Sequence, residues 1–361
     1  NIVLAFVIRP DTVFIQQLSL PLSWEEQVAD FRTGLFGAFI PNRPDSLPLH
    51  TNRLFAQSAV ALYEMLVAPI QKHLPERLII VPDGIMGFIP FEALVTEPIT
   101  GRTDRFQEHK YWGRDKVISY AYSATLWQEM KTKQHLQNPA KTMLAMAPFF
   151  RGDWKALEKM LDKEPADADI AATASTKNET LDTLTFSGEE ALRIARRYKG
   201  LALLDVMATR AAFDTMAASY RRIHLSTHGY AGDDSWLAFY KSGRPLDADK
   251  LYLRDIYNLR LNADLVVLSA CQTGIGKLRR GEGIISLSRA FAYAGAKGII
   301  ATLWSVNDKK TKDFMLLFYR HLQTKPAAEA LREARREYLN AHKGEAAHPY
   351  YWAGFIGVGD M

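Results

Sequence analysis

One aliphatic segment of the chain reads Ala263-Asp264-Leu265-Val266-Val267-Leu268-Ser269-Ala270-Cys271-Gln272-Thr273-Gly274. Its apolar run is too short for a typical helix and is rich in β-branched valine, which predicts a strand buried on both faces. Cys271, the only cysteine of the chain, follows this run. Ligands of open α/β sheets bind outside the carboxyl ends of the strands. A thiol at such a strand end is therefore placed to meet a substrate.

A second strand end carries a histidine. The segment reads Arg222-Ile223-His224-Leu225-Ser226-Thr227-His228-Gly229. Side chains alternate along a strand, so His224 and His228 share a face, but only His228 lies at the end, beside a glycine. An imidazole next to a thiol helps to form the thiolate and passes a proton to the leaving group. We predict a Cys/His pair of the cysteine-hydrolase type, with His224 as a core histidine.

The rest of the chain predicts an α/β protein, since strand patterns alternate with helix patterns from Ser187 onward. In the first half we expect a hairpin, a long amphipathic helix and buried strands. The second half begins with a further strand, and a polar segment follows. We expect the second part of this polar segment to be a loop. The predicted strands are 2–8, 12–18, 77–81, 117–122, 142–147, 201–204, 222–227, 263–270 and 298–303; the predicted helices are 24–31, 52–73, 188–198, 210–220, 283–294, 309–322 and 327–341; the polar segment is 152–185 and a further loop is 277–283.

Length and composition are those of a globular protein. The 361 residues are enough for two domains that each bury a core, and the 48% hydrophobic and 24% charged fractions are ordinary. We place the division between residues 1–141 and 142–361. Because Asn1 leads directly into a strand-like run, we expect the sequence to be part of a longer chain.

Charge and cysteine usage narrow the function classes. The 45 Lys and Arg residues against 40 Asp and Glu give a net charge of +5, but the basic residues are scattered, which argues against nucleic-acid binding. A single cysteine cannot form an intrachain disulfide, and neither a signal peptide nor a long apolar run is visible, so we expect a cytoplasmic protein without a membrane span. No zinc motif of the HExxH or paired-cysteine type occurs, and we predict neither a metal nor a cofactor.

Several further motifs occur in order along the chain and, with the two strand ends, resemble the CHAT domain. This caspase-like peptidase module is related to caspases and separase and is often attached to tetratricopeptide repeats. The further motifs are Leu78-Ile79-Ile80-Val81-Pro82-Asp83-Gly84, Ile89-Pro90-Phe91-Glu92-Ala93-Leu94, Gly281-Glu282-Gly283, Ala290-Phe291-Ala292-Tyr293-Ala294-Gly295-Ala296, Ala301-Thr302-Leu303-Trp304-Ser305-Val306-Asn307-Asp308 and His348-Pro349-Tyr350-Tyr351-Trp352-Ala353-Gly354-Phe355.

The resemblance implies a fold and a set of roles. It implies a caspase-like, mostly parallel sheet flanked by helices, with a noncatalytic first half. It also implies that His228 and Cys271 form the catalytic dyad and that the backbone N–H groups of Gly229 and Cys271 form the oxyanion hole. Ser269 stands where the caspase signature has glutamine, and Thr273 precedes the glycine, so cleavage after aspartate is not assumed.

Substrate contacts are predicted from loops near the same sheet edge. Asp233, Asp234 and Asp308 are expected to pair with a basic side chain of the substrate, and Trp304 to line an apolar subsite. Acidic residues in loops are more often simply solvated, and aromatic residues beside strand ends more often belong to the core.

We expect a cysteine endopeptidase that cleaves a protein substrate at a limited site and is controlled by a partner protein or by tetratricopeptide repeats outside this sequence. Two alternatives stay open. One is an interaction scaffold that keeps the dyad without turnover. The other is a nonproteolytic acyl hydrolase that uses the dyad on a small molecule and would require a deep closed pocket.

Overall fold

The structure is a computed structural model that describes residues 3–39, 47–135, 138–163, 183–232, 234–241, 249–270, 277–279, 283–304 and 306–361. The chain divides into two compact units. The first comprises Asn1–Ile118 and Arg332–Ala353, and the second comprises Ser119–Leu331 and Gly354–Met361. The domain boundary expected between residues 141 and 142 falls within the second unit and stays a prediction.

Strands and helices alternate through much of the described chain. The strands are β1 Val3–Ile8, β2 Val13–Leu18, β3 Arg77–Ile80, β4 Val117–Tyr120, β5 Lys141–Ala147, β6 Leu201–Leu204, β7 Tyr220–Ser226, β8 Gly229–Tyr230, β9 Trp236–Ala238, β10 Lys250–Tyr252, β11 Leu265–Ser269, β12 Lys277–Arg279, β13 Gly283–Ile285, β14 Gly298–Thr302 and β15 Phe355–Gly359. The helices are α1 Trp24–Phe36, α2 Leu47–Leu66, α3 Trp112–Asp115, α4 Ala124–Thr132, α5 Trp154–Lys163, α6 Ser187–Arg197, α7 Arg210–Met216, α8 Leu253–Ile256, α9 Leu287–Ala294, α10 Asp308–His321 and α11 Ala327–Ala341.

The first unit contains the predicted hairpin and a packed helix pair. β1 and β2 pair antiparallel, with Val3 opposite Leu18. α1 packs on α2, and the contact needs Gly34, since a Cβ there would lie 2.5 Å from the Phe55 backbone nitrogen. A buried ion pair between Arg335 Nη2 and Glu92 Oε1, 3.0 Å long, joins the end of the chain to the Ile89–Leu94 motif. This pair explains the acidic residue within an otherwise apolar motif.

The second unit is built on a mostly parallel sheet with strand order β4-β15-β14-β11-β7-β5-β6. β11 lies between β14 and β7 and runs parallel to both, and all five of its residues are buried. β15 is antiparallel to β14. The predicted α/β class with a mostly parallel sheet is therefore confirmed, and the aliphatic run is a central strand, as its uninterrupted apolar pattern predicts.

Helix α6 covers one end of this sheet and organises the core there. It contacts β5, β6 and β7, and it also packs against α5 and α10. Small alanines of β5 and α6 permit close approach, and larger side chains fill the space around them. The core residues here are Ala145, Ala147, Phe150, Leu161, Ala191, Leu192, Ala195 and Leu204.

Three predicted segments differ from the structure. The helix expected from residue 283 is wrong at its start, because Gly283–Ile285 is strand β13 and pairs with β12 in the segment expected to be a loop. The helix α9 begins only after Ser286, whose hydroxyl accepts the Arg289 N–H at 3.3 Å as an N-cap. The polar segment 152–185 begins with an unpredicted helix, α5, and its expected loop part at 164–182 lies outside the described residues.

The long helix predicted over 52–73 is broken near Pro69. α2 ends at Leu66, and a 3-10 helix follows over Ala68–His73, because proline lacks the N–H that would continue the α-helical hydrogen bonds. Within the described residues, no helix combines the length and the apolar character needed to span a bilayer.

Gly295 permits the turn from α9 to β14, and replacing it provides a test of the fold. Its φ is +119°, and a Cβ there would lie 2.4 Å from the Leu261 carbonyl oxygen. We expect Gly295→Ala to lower the free energy of unfolding by about 3 kcal/mol, from backbone strain and the clash together. Urea unfolding measures the loss.

Gly344→Ala is the matched control, since Gly344 has a φ of +57° and open space around it. We expect it to lose about 1 kcal/mol, from the left-handed backbone alone. Equal losses in the two variants would contradict the tight turn.

Candidate active site

The candidate site lies where β7 and β11 end side by side. Their parallel register pairs Leu265 with Arg222 and Ser269 with Ser226. The Thr227 N–H donates to the Ser269 carbonyl at 3.3 Å, so the pairing continues one step beyond the strands. His228 follows Ser226 by two residues, and Cys271 follows Ser269 by two residues. Cys271 itself lies outside the described residues.

His228 is half-buried at the end of β7. Its ring packs edge-on against Phe149, with 4.7 Å between the ring centroids. Its carbonyl accepts the Ala238 N–H at 2.9 Å, and the next residue, Gly229, begins β8, which pairs with β9. Backbone pairing and the Phe149 contact therefore restrict the position of the imidazole. The backbone N–H groups predicted for the oxyanion hole belong to Gly229 and Cys271, and this assignment stays a prediction.

A small pocket of about 40 Å³ opens beside these strand ends. Its walls contain two of the residues predicted to contact substrate, Trp304 and Asp308. Trp304 packs against Gly354, where a Cβ would lie 2.9 Å from the indole. The Thr302 hydroxyl donates to the Ala270 carbonyl and ties β14 to the end of β11. The full lining is Leu184, Ser226, Thr227, Ser269, Ala270, Thr302, Trp304, Val306, Asp308 and Thr311.

Asp308 is the acidic group of this pocket. It is the first residue of α10, and its Oδ2 accepts the Phe186 N–H at 2.7 Å. Burial raises the pKa of Asp308 to about 6, although the Phe186 N–H lowers it; the charge of Glu190 raises it further, and Lys312 opposes that effect. The carboxylate is therefore mostly ionised at neutral pH, but its charge is poorly solvated.

A fully buried carboxylate that the sequence analysis missed lies behind the strand ends. Glu190 Oε1 accepts the Ser269 hydroxyl at 2.9 Å, and Glu190 Oε2 accepts the Ser226 hydroxyl at 3.5 Å. His224 is also fully buried, as predicted, and its Nε2 lies 2.9 Å from Glu190 Oε1. These two atoms are at ion-pair distance but are not aligned for a hydrogen bond. The Tyr319 hydroxyl bonds the other ring nitrogen of His224 at 3.2 Å.

The neighbouring Glu189 has different partners. Its Oε1 accepts from Arg193 Nε at 2.9 Å, and its Oε2 accepts from Lys312 Nζ at 3.1 Å. In the sequence, Glu189 and Glu190 look alike, as two carboxylates near the positive end of a predicted helix. One sequence feature could have distinguished them. Helical periodicity puts the two side chains about 100° apart, so they must have different surroundings if α6 packs on the sheet.

Of the two other predicted acidic contacts, Asp234 does not line this pocket. Asp234 is exposed, and its carboxylate lies 3.7 Å from Arg254. Asp233 lies outside the described residues. Within the described ranges, no group of three or more His, Cys, Asp or Glu side chains is placed to hold a metal ion.

The shifted Asp308 carboxyl predicts a pH-dependent stability. Because its folded-state pKa of about 6 lies above the ordinary value of 3.8, the folded protein binds this proton more tightly than the unfolded chain does. Its stabilising effect is complete below about pH 4 and is lost as the pH rises through 6. Asp308→Asn removes the titration and keeps an acceptor for Phe186. We expect the stability of the variant minus that of the wild type to rise by about 2–3 kcal/mol from pH 4 to pH 7.

Denaturant unfolding across this pH range measures the difference. A difference that does not change with pH would contradict the raised pKa of Asp308.

Comparison with curated proteins finds long relatives. Tetratricopeptide repeat protein 28 of Mus musculus is 24% identical over 361 residues, a match that covers 91% of this chain and 14% of the relative. The protein of the same name from Homo sapiens gives the same identity and coverage. The chain therefore spans only a small part of the length of these relatives.

Two solved structures show distant similarity. One is the Saccharomyces cerevisiae separase–securin complex, with 10% identity, a TM-score of 0.48 and coverage of 98% of this chain and 21% of that chain. The other is the Arg specific cysteine proteinase gingipain R, with 11% identity, a TM-score of 0.44 and coverage of 94% and 75%. A profile of the CHAT domain matches residues 56–360. Since this match spans most of the chain, the protein belongs to the CHAT domain family.

Proposed function

We propose that this chain is a cysteine endopeptidase of the caspase and separase type, with His228 and Cys271 as its dyad. The observation that supports this most is the register of β7 and β11, in which Ser226 lies opposite Ser269. Both proposed catalytic residues follow this pair by the same two steps. Adjacent parallel strands lie about 4.8 Å apart, so residues that leave them at the same level are within reach of one another.

The proposed reaction passes through an acyl-enzyme. The Cys271 thiolate attacks the scissile carbonyl carbon, a C–S bond forms, and the negative charge moves to the carbonyl oxygen, which the Gly229 and Cys271 N–H groups stabilise. Protonated His228 gives its proton to the leaving amine as the C–N bond breaks. His228 then takes a proton from water, whose oxygen attacks the thioester, and the acid product and the thiolate are released.

For the substrate, we propose a protein with a basic residue before the scissile bond. Asp308 offers a carboxylate and Trp304 an apolar wall in the same pocket. A volume of about 40 Å³ is close to that of a single water molecule, so the pocket must widen to admit lysine or arginine. A desolvated carboxylate gains more from pairing with a cation than an exposed one does. Asp308 is therefore a better candidate than Asp234 for the specificity-determining acid.

A pocket that must widen before it admits substrate is consistent with control of the activity by another protein segment. We propose that tetratricopeptide repeats or a regulatory partner switch the site on, in line with the repeats in the name of the long curated relatives. We further propose cytoplasmic action, since a chain with a single cysteine cannot form an intrachain disulfide and fits a reducing compartment. Neither nucleic acid nor a membrane is required by this function.

Covalent labelling tests the dyad. We expect a peptide chloromethyl ketone with arginine at its reactive end to add once to the wild-type chain and not at all to Cys271→Ala. His228→Ala should label at least about 100-fold more slowly, because the base that activates the thiol is lost. Intact-mass spectrometry follows the addition over time.

His50→Ala is the matched control, since His50 is an exposed histidine on α2 and its loss should leave the rate unchanged. Equal labelling of His228→Ala and the wild type would contradict the dyad. If the wild type fails to label even in the presence of the proposed repeats or regulatory partner, although iodoacetamide still alkylates Cys271, the scaffold alternative is favoured.

Removal of the Asp308 charge tests its role in substrate specificity. We expect Asp308→Asn to lower kcat/KM for a substrate with arginine before the scissile bond by about 10- to 100-fold, through loss of a partly buried ion pair. Cleavage of a matched substrate with a neutral glutamine should change little. Asp234→Asn provides the control, and equal effects of the two variants would contradict the assignment.

A further inference from the structure

The buried carboxylate of Glu190 contacts both strands that lead to the proposed dyad. One of its oxygens accepts from the last residue of β11 and the other from the last residue of β7. We propose that Glu190 is a positioning residue, which holds Ser226 and Ser269 level with each other and thereby sets the distance between His228 and Cys271. This inference rests on the proposed function.

Stability alone does not account for a carboxylate at this position. Glu190 and His224 are both 0% exposed, and Ser226 and Ser269 are nearly as deeply buried. Burying a charge is costly, and well-packed apolar residues often stabilise a protein as well as a buried ion pair does. A charged acceptor with two oxygens has one property that an apolar side chain lacks, since it can bond two hydroxyls on separate strands at the same time.

Strand geometry transmits this alignment to the dyad. Along β7, residues two apart lie on the same face, so the face that carries His224 also carries Ser226. Each serine lies two residues before one proposed catalytic group. A change in the relative level of the two serines is therefore passed on over a short, hydrogen-bonded length of chain. A displacement of about 1 Å at a catalytic group can reduce a rate about 100-fold.

Glu190 is itself held firmly. Its backbone N–H donates to the Phe186 carbonyl at 3.0 Å, within the first turn of α6, and α6 packs on β5 and β7. The charged groups around it are known. His224 faces it from β7, and the charge of Asp308 acts on it from α10. Glu189 lies beside it on α6, paired with Arg193 and with Lys312 of α10. The ion pairs of Glu189 leave the bonds from Glu190 to the strand ends intact, so Glu189 provides a matched control.

The experiment uses the single cysteine of the chain as its probe. The rate of Cys271 alkylation by iodoacetamide is measured from pH 5 to pH 10 for the wild type, Glu190→Gln, Glu189→Gln and His228→Ala, and thermal unfolding verifies that each variant is folded. The pH midpoint of Cys271 alkylation should be lower in the wild type than in His228→Ala, because the imidazole favours the thiolate. Glu190→Gln should raise the midpoint by about one pH unit and slow alkylation at acid pH about tenfold.

Glu189→Gln should lose stability but keep the wild-type midpoint of Cys271 alkylation. If Glu189 and Glu190 both had a purely structural role, the two variants would not differ in this midpoint. A folded Glu190→Gln variant with the wild-type midpoint would overturn the inference. If Glu190→Gln does not fold, Ser269→Ala decides, since it removes one of the two hydroxyl donors; a raised midpoint supports the inference and an unchanged one overturns it. If His228→Ala and the wild type share one midpoint, the proposed dyad itself fails, and the positioning role falls with it.

Discussion

The parallel pairing of β7 with β11 is the interaction on which this structure depends. Val266, Val267 and Leu268 are fully buried in the middle of the sheet, so the register of β11 is fixed by burial as well as by hydrogen bonds. A slip of one residue would exchange the two buried faces of β11 and move Ser269 out of line with Ser226. Because the register is fixed, the positions at which the segments after β7 and β11 leave the sheet are fixed too. The location of the candidate site follows from these two fixed positions.

Behind the strand ends, the protein keeps a group of charges out of water. Glu189 and Glu190 start α6, Lys312 is 1% exposed, and Asp308 opens α10 beside the pocket. Each carboxylate has its own partners, which limits the cost of burial. The arrangement links the helix that covers the sheet to the residues that line the pocket. A cation held at Asp308 would therefore alter the electrostatic surroundings of Glu190.

Local patterns in the sequence predicted the elements but not their polar partners. The aliphatic run of β11, the alternation along β7 and the periodicity of α10 and α11 depend on neighbours in the chain, and the structure confirms these elements. The bonds from Glu190 join residues 36 and 79 positions apart, and the Asp308 contact joins residues 122 apart. Such contacts depend on the packing of α6 and α10, which no local pattern specifies. The short strands β12 and β13 also escaped prediction, because they form through pairing with each other.

Positions 228 and 271 are proposed to lie next to each other, and an engineered disulfide between them provides a direct test. His228→Cys gives a chain with two thiols, which can bond only if their Cα atoms lie within about 4.4–6.8 Å. If the two positions are adjacent, mild oxidation of the folded variant should remove the mass of two hydrogen atoms and link the peptides around 228 and 271. Asp234→Cys, with an exposed thiol in the connection between β8 and β9, should stay reduced within the chain. Two free thiols in folded, oxidised His228→Cys would contradict the proposed adjacency of positions 228 and 271.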